Sequence, residues 1–347
     1  MLKKLRIAQI APIWNSIPPK QYGGIERVVY QLTKELVRRG HEVTLFATKD
    51  SKTSAKLVSV VPAPMSGKIP WSNPAYTLFN IAKAYKMAGD FDIIHSHADF
   101  WAFPLATLVS TPTVHTLHNR LPVDKESSDY QFYLRYPDQK LISISNNQRQ
   151  HLPWNFVATV YNGVDTNKFS FSSKKGNYLY WTGRINYLKG AKDALLVAKK
   201  LGLPLIFAGA HKEGNIKFYE EELQPLMNDP LITDVGSLTA EKEHYYYQNA
   251  LCTLVPIHWE EPFGLVMAES MASGTPVIAY DRGSVPEIVV NGKTGFIVKE
   301  EAGVNGLAAA IKKIDQIKRE ECRKYVEEHF TISKMVDRYL DIYYKNI

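Results

Sequence analysis

Residues 5–47 read LRIAQIAPIWNSIPPKQYGGIERVVYQLTKELVRRGHEVTLFA. The apolar run Leu5–Ala11 stops at a proline, and Glu42–Ala47 forms a second apolar run. Between them Ile25, Val28, Val29, Leu32 and Leu36 recur at i, i+3, i+4 spacing, which predicts a helix with one buried stripe. Gly40 after Arg38 and Arg39 is a helix stop. Strand, glycine-bearing loop, helix, strand is a βαβ unit, and such units build parallel sheets.

Working outward, Ile93–Ile94, Thr113–Leu117 and Leu141–Ser145 continue that sheet. The pattern then begins again. Tyr178–Thr182 reads as a strand, Gly183-Arg184 as a turn, and a helix follows from near Lys189. Leu205–Ala208, Ile232–Val235, Cys252–Val255 and Pro276–Ala279 are further short apolar runs. Two successive doubly wound α/β modules follow. The joint is expected near Asn162–Asp165, a turn-forming cluster. The tail Ile332–Ile347 is amphipathic, with Met335, Tyr339 and Ile342 on one side.

Length agrees with two domains, since 347 residues exceed the roughly 100–200 of one domain. A chain 45% hydrophobic and 22% charged is globular rather than disordered. No apolar run approaches the ~18 residues of a membrane span. Met1–Trp14 reads as a first strand and not as a leader, because Gln9 and Pro12 interrupt its apolar stretch. Cys252 and Cys322 are too few for a disulfide framework or zinc site, which fits a reducing cytoplasm. Residues 1–160 carry 19 Lys and Arg against 11 Asp and Glu, whereas residues 161–347 carry 23 against 24. The basic half suits an anionic partner such as a membrane face or a lipid-linked or phosphorylated acceptor. A merely soluble basic surface is the other reading. No nucleic-acid motif is present.

In doubly wound sheets ligands sit outside the carboxyl ends of the strands, so residues at strand-to-helix turns are the candidates. Gly23-Gly24 at a helix start lets backbone N–H groups approach an anion, or simply satisfies a turn. Arg184 and Lys189 place a guanidinium and an ammonium at one turn, a combination suited to a diphosphate. Glu261 and Glu269 frame a segment, Glu261-Pro262-Phe263-Gly264-Leu265, that enters a helix. If helical throughout, the eight-residue interval rises about 12 Å, longer than the ~5–9.5 Å between glycosidase carboxylates. Two such carboxylates suit hydroxyls at the two ends of one elongated ligand. His95, His97, His115 and His118 each follow a predicted strand and lack the companions of a metal site; polar contacts to a sugar are the expected role. Asp90-Phe91-Asp92 precedes its strand and is read as strand-entry turn residues. The run Tyr245-Tyr246-Tyr247 is read as packing.

Taken together, GGIERVV (23–29), HSH (95–97), VHTLHN (114–119), SISNNQRQHL (143–152), YNGVDTNKF (161–169), TGRINYLKG (182–190), EPFGLVMAESMASGTPVIA (261–279) and PEIVVNGKTGFIV (286–298) resemble the retaining glycosyltransferases of family four. The resemblance implies the GT-B fold, two doubly wound Rossmann-like domains facing an interdomain cleft. It implies an N-terminal acceptor-side domain over 1–163, a nucleotide-sugar domain over 164–330, and a C-terminal helix over 331–347 returning to the first domain. It also implies that Gly23 and Gly24 lie near the donor diphosphate and that Arg184 and Lys189 bind it. Glu261 would hold the transferred sugar with backbone at Phe263, Gly264 and Leu265, and Glu269 would hold the ribose. His115 would contact the sugar near the reacting carbon, and backbone around Leu238 would meet the base. The expected reaction is metal-independent transfer of a hexose-type sugar from a UDP- or GDP-sugar to a hydroxyl acceptor, with no cofactor. A sugar-nucleotide 2-epimerase and a non-catalytic sugar-nucleotide binder are the alternatives on the same architecture. The long loop Trp14–Tyr22 and the segment Trp71–Met87, which shows no familiar acceptor pattern, depart from the family.

Overall fold

The structure is a computed structural model that describes residues 3–20, 23–69, 73–210 and 216–347. Gln21 and Tyr22 of the loop before Gly23, and Trp71 and Ser72 of the 71–87 segment, lie outside the described residues, as do Met1 and Leu2. The chain divides into two compact units, Met1–Gly163 with Ile332–Ile347, and Val164–Thr331.

Among the described residues the first unit holds seven parallel strands: β1 Arg6–Ile10, β2 Glu42–Phe46, β3 Lys56–Val58, β4 Ile93–Ser96, β5 Thr113–Thr116, β6 Lys140–Ser143 and β7 Phe156–Thr159, ordered 3-2-1-4-5-6-7. The strand order reverses between β1 and β4, which makes their carboxyl ends the switch point of a doubly wound sheet. The helix Gly24–Arg38 buries Val28, Val29, Leu32 and Leu36, the stripe its spacing predicts. On the other face, Ala8, Ile10 and Ile94 pack with Ile81, Ala84 and Tyr85 of the helix Ala75–Lys86. The helix Ile332–Asn346 lies beside Gly24–Arg38. Arg39 holds it through Asp337 at 2.5 Å and the Ser333 hydroxyl at 2.9 Å.

Among its described residues the second unit holds six parallel strands: β8 Leu179–Arg184, β9 Leu205–Ala210, β10 Ile232–Asp234, β11 Cys252–Val255, β12 Val277–Tyr280 and β13 Gly295–Val298, ordered 10-9-8-11-12-13. Its switch point lies between β8 and β11. Trp181 stacks on Phe207 across β8 and β9, with centroids 4.4 Å apart. Buried Arg319 donates to the carbonyls of Ser172, Gln248 and Ala250, closing polar loop backbone that would otherwise stay unpaired.

Four details differ from the sequence reading. Gly183 and Arg184 are not a turn; they pair with Gly209 and Ala210 as the last residues of β8. The next helix, Ala191–Leu201, starts two residues beyond Lys189 because Gly190 adopts φ +67 and interrupts it. His95 and His115 do not follow their strands but lie inside β4 and β5. Three strands, β3, β7 and β13, had no counterpart in the reading; LysLeuVal and PheValAlaThr are short, partly exposed edge segments without a clear alternation. Both cysteines are buried free thiols. Among the described residues no helix is long and apolar enough to cross a membrane.

Candidate active site

The switch point of the second unit gathers the charged residues singled out in the sequence. Arg184 ends β8, exposed. The 3-10 turn Tyr187–Lys189 follows, capped by the Asn186 side chain, which accepts from Lys189 N at 3.0 Å. Lys189 Nζ donates to Glu261 Oε2 at 2.5 Å, and the Trp259 indole N–H donates to the same oxygen at 3.0 Å. The ammonium also lies 4.6 Å from the centre of the Trp259 ring. Cation and carboxylate are therefore both held in one place, a geometry that a flexible surface lysine does not keep unaided. Three residues after Glu261, Gly264 caps the helix Leu265–Ala272 and, as a glycine, offers no side-chain acceptor to its first N–H groups. Such an end carries positive potential and open donors, an anion-binding arrangement.

Only part of the Glu261–Glu269 interval is helical. Glu261 lies in the preceding loop, where its backbone carbonyl accepts from Ser284 N at 2.9 Å, while Glu269 is within the helix. Glu269 is buried, with the Tyr247 hydroxyl donating to its Oε2 at 3.3 Å. Phe263 buries its ring and accepts from the Ser284 hydroxyl at 2.7 Å. Leu238 is a buried loop residue between β10 and the helix Ala240–Asn249. Of the three tyrosines on that helix, Tyr247 is fully buried and Tyr245 is exposed, so packing describes only part of the run.

His258 and Trp259 belong to none of the sequence motifs, although they directly precede the Glu-Glu-Pro-Phe-Gly loop. His258 N donates to Leu188 O at 2.9 Å, and its ring stacks on Tyr187 at 4.7 Å, supporting the turn that carries Lys189. The ring lies between Asp193, 3.4 Å from Nε2, and Glu300, 2.7 Å from Nδ1. Those two carboxylates, Asp193 first, raise its pKa above the ordinary value against the cost of burial. A raised cationic pKa stabilises the fold fully below the unfolded value of ~6.5 and loses that contribution as pH rises through the folded value. Accordingly, His258→Asn should destabilise the protein more at pH ~6 than at pH ~8.5 in urea unfolding. A difference independent of pH would mean that the ring acts by packing alone.

In the first unit, alternation along the strands sorts the four histidines. Gln9 pairs with His95, and His95 with Val114, so Gln9, His95, His97, Thr116 and His118 share one side of the sheet. His115 lies on the other. It is fully buried, with Nε2 bonded to Gln139 Oε1 at 2.9 Å and its ring against the edge of Phe103. Burial lowers its pKa to about 4. His115 is thus enclosed in packing rather than placed beyond a strand end as the motif reading expected. His118, two residues past the end of β5, stands at the carboxyl edge with slight exposure. Its Nε2 lies 2.8 Å from His97 Nδ1. Burial lowers the pKa of His118 to about 3 and that of His95 and His97 well below normal, so all three rings are neutral. Beside them Asp99 takes φ +48, accepts from Asn119 Nδ2 at 2.7 Å, and is pushed by burial up to about 6.

Gly24 opens the first helix and Gly23 caps it; a Cβ on Gly23 would sit 2.7 Å from Pro19 Cβ, so close packing already requires a glycine there. Asp90 and Asp92 lie at the amino end of β4, where Asp92 Oδ1 and Oδ2 accept from the side chain and backbone N–H of Arg6.

Two family models match in succession, glycosyltransferase family 4 over residues 22–168 and glycosyl transferases group 1 over residues 164–329. The chain belongs to the family-four, group 1 glycosyltransferases. It is 24% identical to a glycogen synthase of Mycobacterium tuberculosis over 86% of this chain and 83% of that protein. Among solved structures, sucrose-phosphate synthase of Thermosynechococcus elongatus superposes with a TM-score of 0.83 at 21% identity, covering 99% of each chain. HepE of Anabaena in complex with UDP-glucose superposes with a TM-score of 0.74 at 16% identity, covering 97% of this chain and 99% of that one. The two parallel sheets are those of the GT-B fold. As a member of this family the chain is a glycosyltransferase, which sets aside the non-catalytic binder.

Proposed function

We propose that this glycosyltransferase moves a hexose-type sugar from a UDP- or GDP-sugar to a hydroxyl acceptor, with retention of configuration and without a metal. The observation that carries this reading is the set Arg184, Lys189, Trp259 and Glu261 assembled at the β8/β11 switch point beside an uncapped helix start. A diphosphate needs the cations and the N–H groups; a sugar hydroxyl needs the carboxylate. In the reaction the C1–O bond to the diphosphate breaks and the acceptor oxygen bonds to C1. The acceptor proton passes to the departing phosphate oxygen. Arg184 and Lys189 take up the negative charge that grows on that phosphate, the service a divalent ion would otherwise perform.

Retention through a covalent intermediate would need a carboxylate nucleophile opposite a second carboxyl group about 5–5.5 Å away. Glu261 Oε2 already accepts from Lys189 and Trp259, and Glu269 is buried beside Tyr247. Both are better suited to orienting hydroxyls, which favours substitution on the face the leaving group departs from. In the first unit His118, not His115, is our candidate for a substrate hydroxyl, because it stands at the carboxyl edge of the sheet. HepE was solved with UDP-glucose, which makes UDP and UDP-glucose the first probes.

Thermal unfolding with a panel of nucleoside diphosphates and their sugars tests this. A ligand present at 100 times its Kd adds about 2.7 kcal/mol, and the shift should persist in EDTA. Stabilisation that vanishes with EDTA and returns with manganese would overturn the metal-free reading. Conversion of the donor to an epimer without acceptor would replace transfer by isomerisation.

A further inference from the structure

The helix Ala75–Lys86 has an inner and an outer side of different chemistry. Thr77, Asn80, Ile81, Ala84 and Tyr85 are buried. Asn80 fastens the helix to the carboxyl edge of the sheet, donating from Nδ2 to the carbonyls of Ala11 and Phe46 at 3.2 Å each. The outer side carries Tyr76, Phe79, Lys83 and Lys86. At 3.6 residues per turn this 3-4-3 spacing keeps the four within an arc of about 80° and along about 15 Å of helix. Tyr76 is 43% exposed and Phe79 58%; Lys86 is exposed and Lys83 half-buried. Two aromatic rings therefore stand in water, in line with two ammonium groups, on a helix whose inner face has already filled the core.

The charge around this stripe is one-sided. Residues 51–89 hold five lysines and neither Asp nor Glu. Arg6, Arg38 and Arg39 of the same unit each pair with a carboxylate. Among the described residues Lys83 and Lys86 have no carboxylate partner. Solubility alone asks for charges of mixed sign and few exposed rings. A helix with aromatic side chains exposed among lysines has instead the pattern of one that lies in the plane of a membrane surface.

We propose that the Tyr76, Phe79, Lys83 and Lys86 face of this helix binds an anionic lipid bilayer. The rings enter the headgroup and acyl boundary. The lysine stems lie along that apolar layer while their ammonium groups reach the lipid phosphates. Rings and charges are both required, because one weak anchor gives only marginal, reversible attachment. This reading does not depend on the donor or acceptor proposed above.

The test is co-sedimentation of the full chain with two kinds of vesicle, phosphatidylcholine alone and phosphatidylcholine with phosphatidylglycerol in equal parts. The natural protein should bind the mixed vesicles at low salt, leave them at high salt, and ignore phosphatidylcholine alone. A lysine near such a surface contributes about fivefold in affinity, so Lys83→Gln with Lys86→Gln should weaken binding about 25-fold. Phe79→Ser should weaken it about tenfold or more through lost apolar burial, with the salt dependence kept. Lys312→Gln with Lys313→Gln, which removes the same charge from exposed positions of the second unit, should leave binding unchanged. No binding to the mixed vesicles at low salt would overturn the proposal, as would full binding by both helix variants or an equal loss in the control pair. Lysine-dependent binding to a single-stranded oligonucleotide in place of vesicles would assign the face to nucleic acid and overturn it. A dimer that Phe79→Ser dissociates, with no vesicle binding, would assign it to a second copy of the chain and overturn it as well.

Discussion

Lys189→Ala should lower kcat by about 10²–10³, the loss expected when one stabiliser of a developing anion is removed. Two consequences of the observed contacts make this larger than a surface-lysine effect. The ammonium is held by Glu261 and the Trp259 ring before any ligand arrives, so its orientation does not have to be acquired during the reaction. Its removal also leaves Glu261 without its cation, and the carboxylate that should orient the sugar keeps only the Trp259 N–H. Glu261→Gln should therefore lower kcat as well. Glu269→Gln, buried with Tyr247 and assigned to the ribose, should chiefly raise the donor KM. Steady-state kinetics on the donor identified by thermal shift separates them. Equal kcat losses for both glutamates, with KM untouched, would mean that they act as a catalytic pair.

The parts of this site legible in the sequence are those carried by local spacing. Arg184 at the end of β8 lies five residues from Lys189, and Glu261 lies next to the Phe-Gly helix entry, and the strand order then brings the two strand ends together. The helix stripe Val28, Val29, Leu32, Leu36 was legible for the same reason: its period is its burial. The histidines were not. Their roles depend on which side of the sheet each side chain takes, and that depends on strand limits and register. Once His95 pairs with Val114, His97, Thr116 and His118 are placed together and His115 opposite them. A further part was out of reach of any local pattern. Gln9 meets Tyr343 across 334 positions of the chain. An amide in the apolar run ArgIleAlaGlnIle, and tyrosines four apart on an amphipathic tail, are visible signals. Nothing in either segment says that they meet.

Gly190→Ala should destabilise the second unit by about 2–5 kcal/mol and weaken UDP binding. The helix Ala191–Leu201 is bracketed by Gly190 and Gly202, at φ +67 and +63. An L-residue in the left-handed region costs roughly 1–2 kcal/mol at either end. Only at Gly190 is the space also taken: a Cβ there would lie 1.8 Å from Pro256 O, whereas nothing lies within 4 Å of one on Gly202. Crowding of this kind typically adds about 1–3 kcal/mol. The obstacle is backbone that leaves β11 toward Trp259 and Glu261, so relief requires moving one strand connection away from the other. That motion would part Lys189 from Glu261. Gly202→Ala is therefore the control, carrying the backbone strain without the collision. Urea unfolding of both variants, with UDP titration of each, tests the argument. Similar losses at the two glycines, or unchanged UDP affinity in Gly190→Ala, would show that the close approach of β8 and β11 connections does not hold the site together.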